Sequence, residues 1–561
     1  MKNHWFKKAG LSFVLVLFVN LISHYLYKRF DLTEDQRYTL SEAALQSANK
    51  FNGTVTIDVL LDGNLPAEFS RLRTETLLLL EQFKSKNQGI SVNFINPLAE
   101  SGPRENTIAE LQSLGLTPAN ITIEEDGKVT QELVFPWAMV NYNNQTVRVP
   151  LLKNKLGANT EDRINNSVQQ LEYAFADAFT KLTTQNKKRV AVIKGNGELQ
   201  DIFISDFLTT LREYYNIGAI TLDSVSVNPQ GVLNQLNNFD LALVAKPTEA
   251  FTDEEKYILD QYIVNGGKSI WLIDQVAMQL DSLFNAKGSA VATQKNLNLN
   301  DLFFKYGLRI NPVLVNDLYN TPIVLATGED TNAQYNPVPW VYHPMVFSKN
   351  NHPINTNIEA LRLQFANVLD TLPNVMKKTI ILQTSPLSKI EGVPKEISFE
   401  IIGAAPQKAD YTNQGNLPLA VLLEGHFNSA FANRVKPIVI GNTIEKGPEN
   451  KMLVVADGDI IKNQLRNGKP LELGYDKWTN NYYGNKEFLV NAVNYLLDDN
   501  GLINIRNKKV SIPLLDVKKI ANQKTKWQLI NIGLPIVLLV VFGLIYGFIR
   551  KKTMARAVLI K

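Results

Sequence analysis

The residues able to do chemistry are few in this chain, and the types that are missing narrow the choice first. Cysteine is absent from the 561 residues, and the histidines number five: His4, His24, His343, His352 and His426. Disulfides, thiolate nucleophiles, zinc–thiolate sites and iron–sulfur clusters are thereby excluded. The sharpest acidic pair is Asp457 and Asp459 in VVADGDI, at the end of an apolar run. Two carboxylates this close could hold Mg²⁺ or serve phosphoryl chemistry. They could equally form a turn in which Asp457 caps the loop and Gly458 takes a positive φ. Asp274, closing SIWLID, and Asn463 could line the same edge.

A second cluster, Gly195-Asn196-Gly197-Glu198, follows RVAVIKG and leads toward a helix. Glycines at the carboxyl end of a strand let a backbone approach a phosphate. The third glycine of a dinucleotide fingerprint is missing, however, because Gln200 holds that position, and no Gly-Lys-Ser/Thr follows. A tight strand-to-helix turn is the better reading. Glu424 and His426 in LLEGHF could pair as base and orienter, but no Gly-x-Ser-x-Gly elbow accompanies them. His343 and His352 each precede a proline and read as packing or surface residues. No catalytic set, metal set or cofactor motif emerges. The candidate ligand-binding residues are therefore Gly195, Gly197, Asp274, Asp457 and Asp459.

These residues need elements to position them. TVTIDVLL reads as a strand, PAEFSRLRTETLLLLEQFKSKN as an amphipathic helix opened by Pro66, and ISVNFINP as a second strand. Two antiparallel strand pairs and the helix TEDRINNSVQQLEYAFADAFTKL follow, an order that suggests a small α/β sandwich, thioredoxin-like in outline. After TTQNKKR the short apolar strands RVAVIKG, AITLDSV, LALVAKP and KSIWLID alternate with helical segments, the pattern of a parallel, doubly wound, Rossmann-like sheet. PLAVLLEG and KMLVVADGD add strands, KEFLVNAVNYLLD a helix, and INIRN a closing strand. The stretch from about 285 to 415, with NPVPWVYHP and SKNNHP, reads as insertions and surface loops.

Both ends are apolar. Ala9 to Tyr27 carries no charge, and Trp527 to Ile549 is closed by Arg550, Lys551 and Lys552. Each is about the length that a bilayer core demands, and Pro535 inside the second is tolerated in a membrane helix. Eight basic residues near the termini stand against nine on the other faces, so charge alone leaves orientation open. The expected division is a tip and first span (1–30), a small α/β domain (31–185), and a doubly wound domain with insertions (186–510). A linker (511–526), a second span (527–549) and a basic tail (550–561) complete it. A net charge of +4, with 58 basic and 54 acidic residues, gives no ground for a nucleic-acid partner.

Several segments together resemble the GldG family of gliding bacteria: RFDLTEDQRYTLSEAAL, GNGEL, SIWLIDQV, VVADGDIIKNQ, LELGYDKW and YYGNKEFLVNAVNYLLDDNGLINIRNK, with PLLD and the C-terminal span. The resemblance covers almost the whole chain. It implies a non-catalytic auxiliary subunit of a gliding-associated ABC transporter, set in the cytoplasmic (inner) membrane by two passes. Both termini would be cytoplasmic and the bulk extracytoplasmic. The implied partners are a separate ATPase, a permease, other envelope gliding proteins and the lipid bilayer; no catalytic residue is implied. The alternatives are an extracytoplasmic sugar- or peptide-binding protein of that transporter and, further off, a metal-dependent hydrolase using Asp457 and Asp459.

Overall fold

The computed structural model describes residues 10–11, 13–15, 18, 31, 39–99, 104–125, 128–153, 157–327, 334–348, 350–404, 406–412, 414–508 and 517–558. Most of the first apolar run and the start of the expected linker lie outside them. Residues 1–510 form one compact unit and residues 511–561 another.

The first α/β layer starts with helix α1 (Glu42–Asn49), whose Ser41 side chain caps the Ala44 N–H. Strands β1 (Val55–Val59) and β2 (Ile90–Phe94) run parallel, joined by helix α2 (Ala67–Lys86). Helix α3 (Arg104–Ser113) and the hairpin β3 (Ala119–Glu125)–β4 (Lys128–Val134) follow. β5 (Trp137–Tyr142) pairs antiparallel with β1, and β6 (Gln145–Pro150) with β5, giving the order β2-β1-β5-β6. Helix α4 (Thr160–Thr183) buries an apolar stripe on this layer, where Phe179 meets Phe51 and Phe83 edge-on at 5.3 and 5.0 Å.

The main sheet has seven strands. β7 (Arg189–Lys194), β8 (Asn216–Thr221), β9 (Leu241–Ala245) and β10 (Lys268–Leu272) alternate with helices α5 (Asp201–Arg212), α6 (Pro229–Leu236) and α7 (Asp253–Val264). β11 (Lys377–Gln383), β12 (Pro418–Asn428) and β13 (Lys446–Val455) complete the order β11-β12-β13-β10-β9-β7-β8. From β13 to β8 the pairing is parallel throughout, whereas β11 and β12 add on antiparallel. All five β9 positions are buried, as a strand covered on both faces requires. Successive residues feed opposite cores: Ala242, Val244 and Trp271 one, Leu241, Leu243 and Ile270 the other. Helix α7 is started by a reciprocal capping box between Thr252 and Glu255, a device worth about 1 kcal/mol. Helix α8 (Asn485–Leu497) covers the second core.

Three expectations change. The 285–415 stretch is not a set of surface loops: it supplies β11 and small antiparallel sheets around a core that includes Trp340, Tyr342 and Phe365. Pro337, Pro339 and Pro344 inside the strand Gln334–Val346 break the alternation that would have announced it. INIRN forms a 3₁₀ turn within Leu502–Asn507 instead of a strand, because the Asp498 carboxylate accepts the Asn500 and Ile503 N–H groups and Gly501 turns the chain at φ +71°. Gly458 sits at φ −80°, so the Asp457-Gly458-Asp459 turn does not use a positive φ.

Candidate functional site

The carboxyl ends of β7, β9, β10 and β13 lie side by side, where the chain passes from β8 on one side of β7 to β9 on the other. Open α/β sheets bind ligands at such an edge. Here the chain's own side chains fill it. Lys246, one residue past β9, adopts φ +56° and is 3% exposed. Its ammonium pairs with Asp459 and lies 3.4 Å from Asp274 Oδ2. Asp274 Oδ1 accepts the Gly458 N–H at 2.6 Å, and Asp457 accepts N–H bonds from Asp459 and Gln364, both at 2.7 Å. Three acids and one lysine therefore close the edge as a buried cluster.

Burial raises the Asp457 carboxyl well above its usual range, with the Asp274 and Asp459 charges adding to the shift. Asp274 also moves up by burial, against the pull of Lys246. Burial would lower the Lys246 ammonium, but Asp459 and Asp274 outweigh it and hold it above the ordinary lysine value. A cation is already built into this site. Among the described residues no group of three His, Asp or Glu side chains has the arrangement to hold a metal ion.

The glycine turn is equally occupied. Gly195 (φ +121°) and Gly197 (φ +69°) bracket Asn196, whose carbonyl accepts the Thr248 and Glu249 N–H groups at 3.0 Å. A Cβ on Gly197 would run into the Thr248 hydroxyl, which donates to the Gly197 carbonyl at 2.9 Å. The Asn196 amide donates to Glu255 at 3.0 Å. Close packing of protein on protein thus accounts for these glycines. Asn463 fastens the chain after β13 to α5, accepting the Asp206 N–H at 3.5 Å and donating to the Ile202 carbonyl at 3.1 Å.

The other candidates separate. Glu424 accepts from Lys377 and Tyr495 at 2.7 and 2.8 Å, whereas His426 Nδ1 faces the Gly447 carbonyl at 3.1 Å, so the two do not pair. His343 is fully buried, and neither ring nitrogen has a hydrogen-bond partner among the described residues. His352 packs against Tyr495 with ring centroids 4.7 Å apart and planes tilted at 58°, and accepts the Ile354 N–H at 3.3 Å.

Sequence reasoning missed Lys246, which no motif marks, and a cleft of about 510 Å³ beside Asp459. Arg362, Asp476, Trp478 and Tyr335 line that cleft, on segments far apart in the chain. A third feature is helix α9 (Val517–Val558), whose stretch Asn522–Lys551 is long and apolar enough to cross a membrane and is unburied within the chain.

These features define a mixed α/β protein with a largely parallel main sheet and an apolar C-terminal helix. Over residues 187–492, more than half of its length, the chain matches the family described as an ABC-type uncharacterized transport system, and it belongs to that family as an auxiliary component. Residues 34–141 match a domain of unknown function. No curated protein matches the chain. Among solved structures, the "mmIFT52 N-terminal domain" is similar at 13% identity, over 55% of this chain and 98% of that one, with a TM-score of 0.32.

Proposed function

We propose that this chain is a non-catalytic coupling subunit of an ABC transporter that serves gliding motility, working with a separate ATPase and a separate permease. Its two apolar ends anchor it in the cytoplasmic membrane with both termini inside, and residues 31–510 stand outside the cytoplasm. The observation that carries this reading is the sealed sheet edge: the position where a doubly wound fold would take a nucleotide or metal holds Lys246 and its three acids. The order β2-β1-β5-β6 supports a thioredoxin-like first domain, and the parallel strands from β13 to β8 support a Rossmann-like second one. Membership of the transport family supports association with ABC transporter components.

Affinity purification of the full chain from native membranes, followed by mass spectrometry, tests the proposal. An ATPase and a permease should co-purify in fixed ratio and be lost when residues 517–561 are deleted. Recovery of the intact chain with neither subunit would overturn it.

A further inference from the structure

Strand β6 is the outer member of the order β2-β1-β5-β6. Its register sets Met139 opposite Arg148 and Trp137 opposite Pro150, and the Leu151 N–H donates to the Pro136 carbonyl at 2.9 Å. Main-chain groups in an antiparallel ladder alternate between its two sides. Those of Val147 and Val149 therefore bond to β5, and those of Thr146, Arg148 and Pro150 point to the open side. All three of the latter residues are exposed. Such an edge is a template for one more strand. A second copy of β6 suits it poorly: Pro150 has no N–H to give, and an antiparallel self-pair centred on Arg148 would set two guanidinium groups against each other.

This edge borders a cleft of about 730 Å³, which Arg148 and Pro150 line together with residues of α4 and α8. Ser167, Gln170, Ala174, Asp177 and Lys181, spaced by three or four, form the α4 wall. That stripe runs about 21 Å at 1.5 Å per residue, a length that about six residues of extended chain would cover. The walls hold two amides in reserve. Gln170 is 9% exposed, and its side chain has no hydrogen-bond partner among the described residues. Asn491 on α8 is 2% exposed; its Nδ2 donates to the Ile354 carbonyl at 3.2 Å, while its Oδ1 has no partner among the described residues. Buried amide groups left unpaired are costly, and the N–H and C=O groups of another main chain satisfy them well. Arg148 adds a charge: its guanidinium donates to the Leu114 carbonyl, and no carboxylate among the described residues pairs with it. A free strand edge, unpaired amides along an elongated wall and an unmatched cation together specify an extended chain with an acidic side chain.

We propose that this cleft takes an extended acidic segment of a partner protein, added as a strand to the free edge of β6. The main chain of that segment pairs with Thr146, Arg148 and Pro150 on one side and reaches the Gln170 and Asn491 amides on the other. One of its Asp or Glu side chains meets Arg148. Main-chain bonds supply the affinity of such strand addition, and alternate side chains supply its selectivity. This docking role does not rest on the coupling role proposed above: a chain that recruited no ATPase could still take the peptide, and the two are tested by different experiments.

A phage-displayed library of random dodecapeptides, selected on the full chain in detergent, supplies the probes, and fluorescence anisotropy of the synthetic peptides measures them. An enriched sequence should carry an Asp or Glu and bind with a dissociation constant of about 0.1 mM or tighter. N-methylation at alternate residues should abolish binding in one phase and spare it in the other, since only one set of N–H groups faces β6. Arg148→Pro, which removes an outward N–H, should weaken binding about tenfold or more. Arg148→Ala keeps that N–H and should lose chiefly the preference for Glu over Gln in the peptide. Gln170→Leu breaks no hydrogen bond among the described residues, so it should melt with the wild type yet bind about threefold or more weakly. If Arg148→Pro melts early, the methylated peptides and Gln170→Leu decide, because they leave β6 intact. The proposal is overturned if no library sequence binds, if both methylated series bind alike, or if Gln170→Leu binds as tightly as the wild type.

Discussion

Lys246 and Asp274 face each other at 3.4 Å with 3% and 6% of their side chains exposed, across the ends of two neighbouring parallel strands. Together with Asp459 they form an ion cluster removed from water at the one edge of the sheet where the fold would otherwise open to a ligand. A buried pair of this kind adds little net stability compared with apolar residues, but removing one partner leaves charge stranded.

Lys246→Met is therefore expected to cost about 3–5 kcal/mol, because Asp274 and Asp459 lose their counter-charge together. Urea unfolding of residues 31–510 measures it. A loss under about 1 kcal/mol would mean that the acids are solvated and the edge is open.

The edge also bears on the glycine turn. Gly197→Ala forces an L side chain to φ +69° and drives its Cβ into the Thr248 hydroxyl and to 3.2 Å from Glu249 Cγ. We expect a cost of about 1–3 kcal/mol, measured as a lowered urea midpoint. Gly392→Ala, whose Cβ would meet nothing within 4 Å, is the control and should stay within about 0.5 kcal/mol of the wild type.

Acid should loosen the 1–510 unit through two histidines. Burial lowers His352 from 6.5 to about 4, with nearby Glu424 opposing and Lys377 and Lys451 reinforcing the shift; burial also holds His343 well below the ordinary histidine value, with Arg362 adding to it. Both rings stay neutral when folded, so between about pH 6.5 and 4 the unfolded chain binds more protons. Stability therefore rises with pH through that window and falls as the pH drops. A His343→Phe, His352→Gln double variant should show a flatter decline in urea midpoint from pH 7 to pH 4.5. An unchanged slope would place the acid sensitivity elsewhere.

How much of this could be read from residues alone depends on the distance over which each feature is encoded. Strand β9 is announced by LALVA, and helix α7 by Thr252, its acidic first turn and Asn265-Gly266, because period and caps are local. Asp274, Asp457 and Asp459 were legible as one edge, since each ends an apolar strand. Lys246 was not: a lysine after a strand is ordinary, and only the spatial adjacency of β9, β10 and β13 makes it the partner of three acids. The cleft beside β6 was hidden for the same reason, its Gln170 and Asn491 being 321 positions apart in the chain. The prolines of Gln334–Val346 masked a strand that forms the middle of a three-stranded antiparallel sheet.

The C-terminal helix carries the last expectation. Its apolar stretch of 30 residues, Asn522–Lys551, reaches about 45 Å at 1.5 Å per residue, beyond the ~30 Å of a hydrocarbon core. Leu534 through Phe542 apart from Pro535 show 45–71% exposure in the protein alone, a surface that water would not tolerate free. A chain of residues 31–561 should stay in the membrane pellet after carbonate extraction, and a chain of residues 31–510 should move to the supernatant. Val540→Arg, near the centre of the stretch, should shift part of the longer chain to the supernatant, since one arginine there costs about 2.5–3.5 kcal/mol of insertion. Recovery of residues 31–561 entirely in the supernatant would mean that the helix is covered by protein and does not meet lipid.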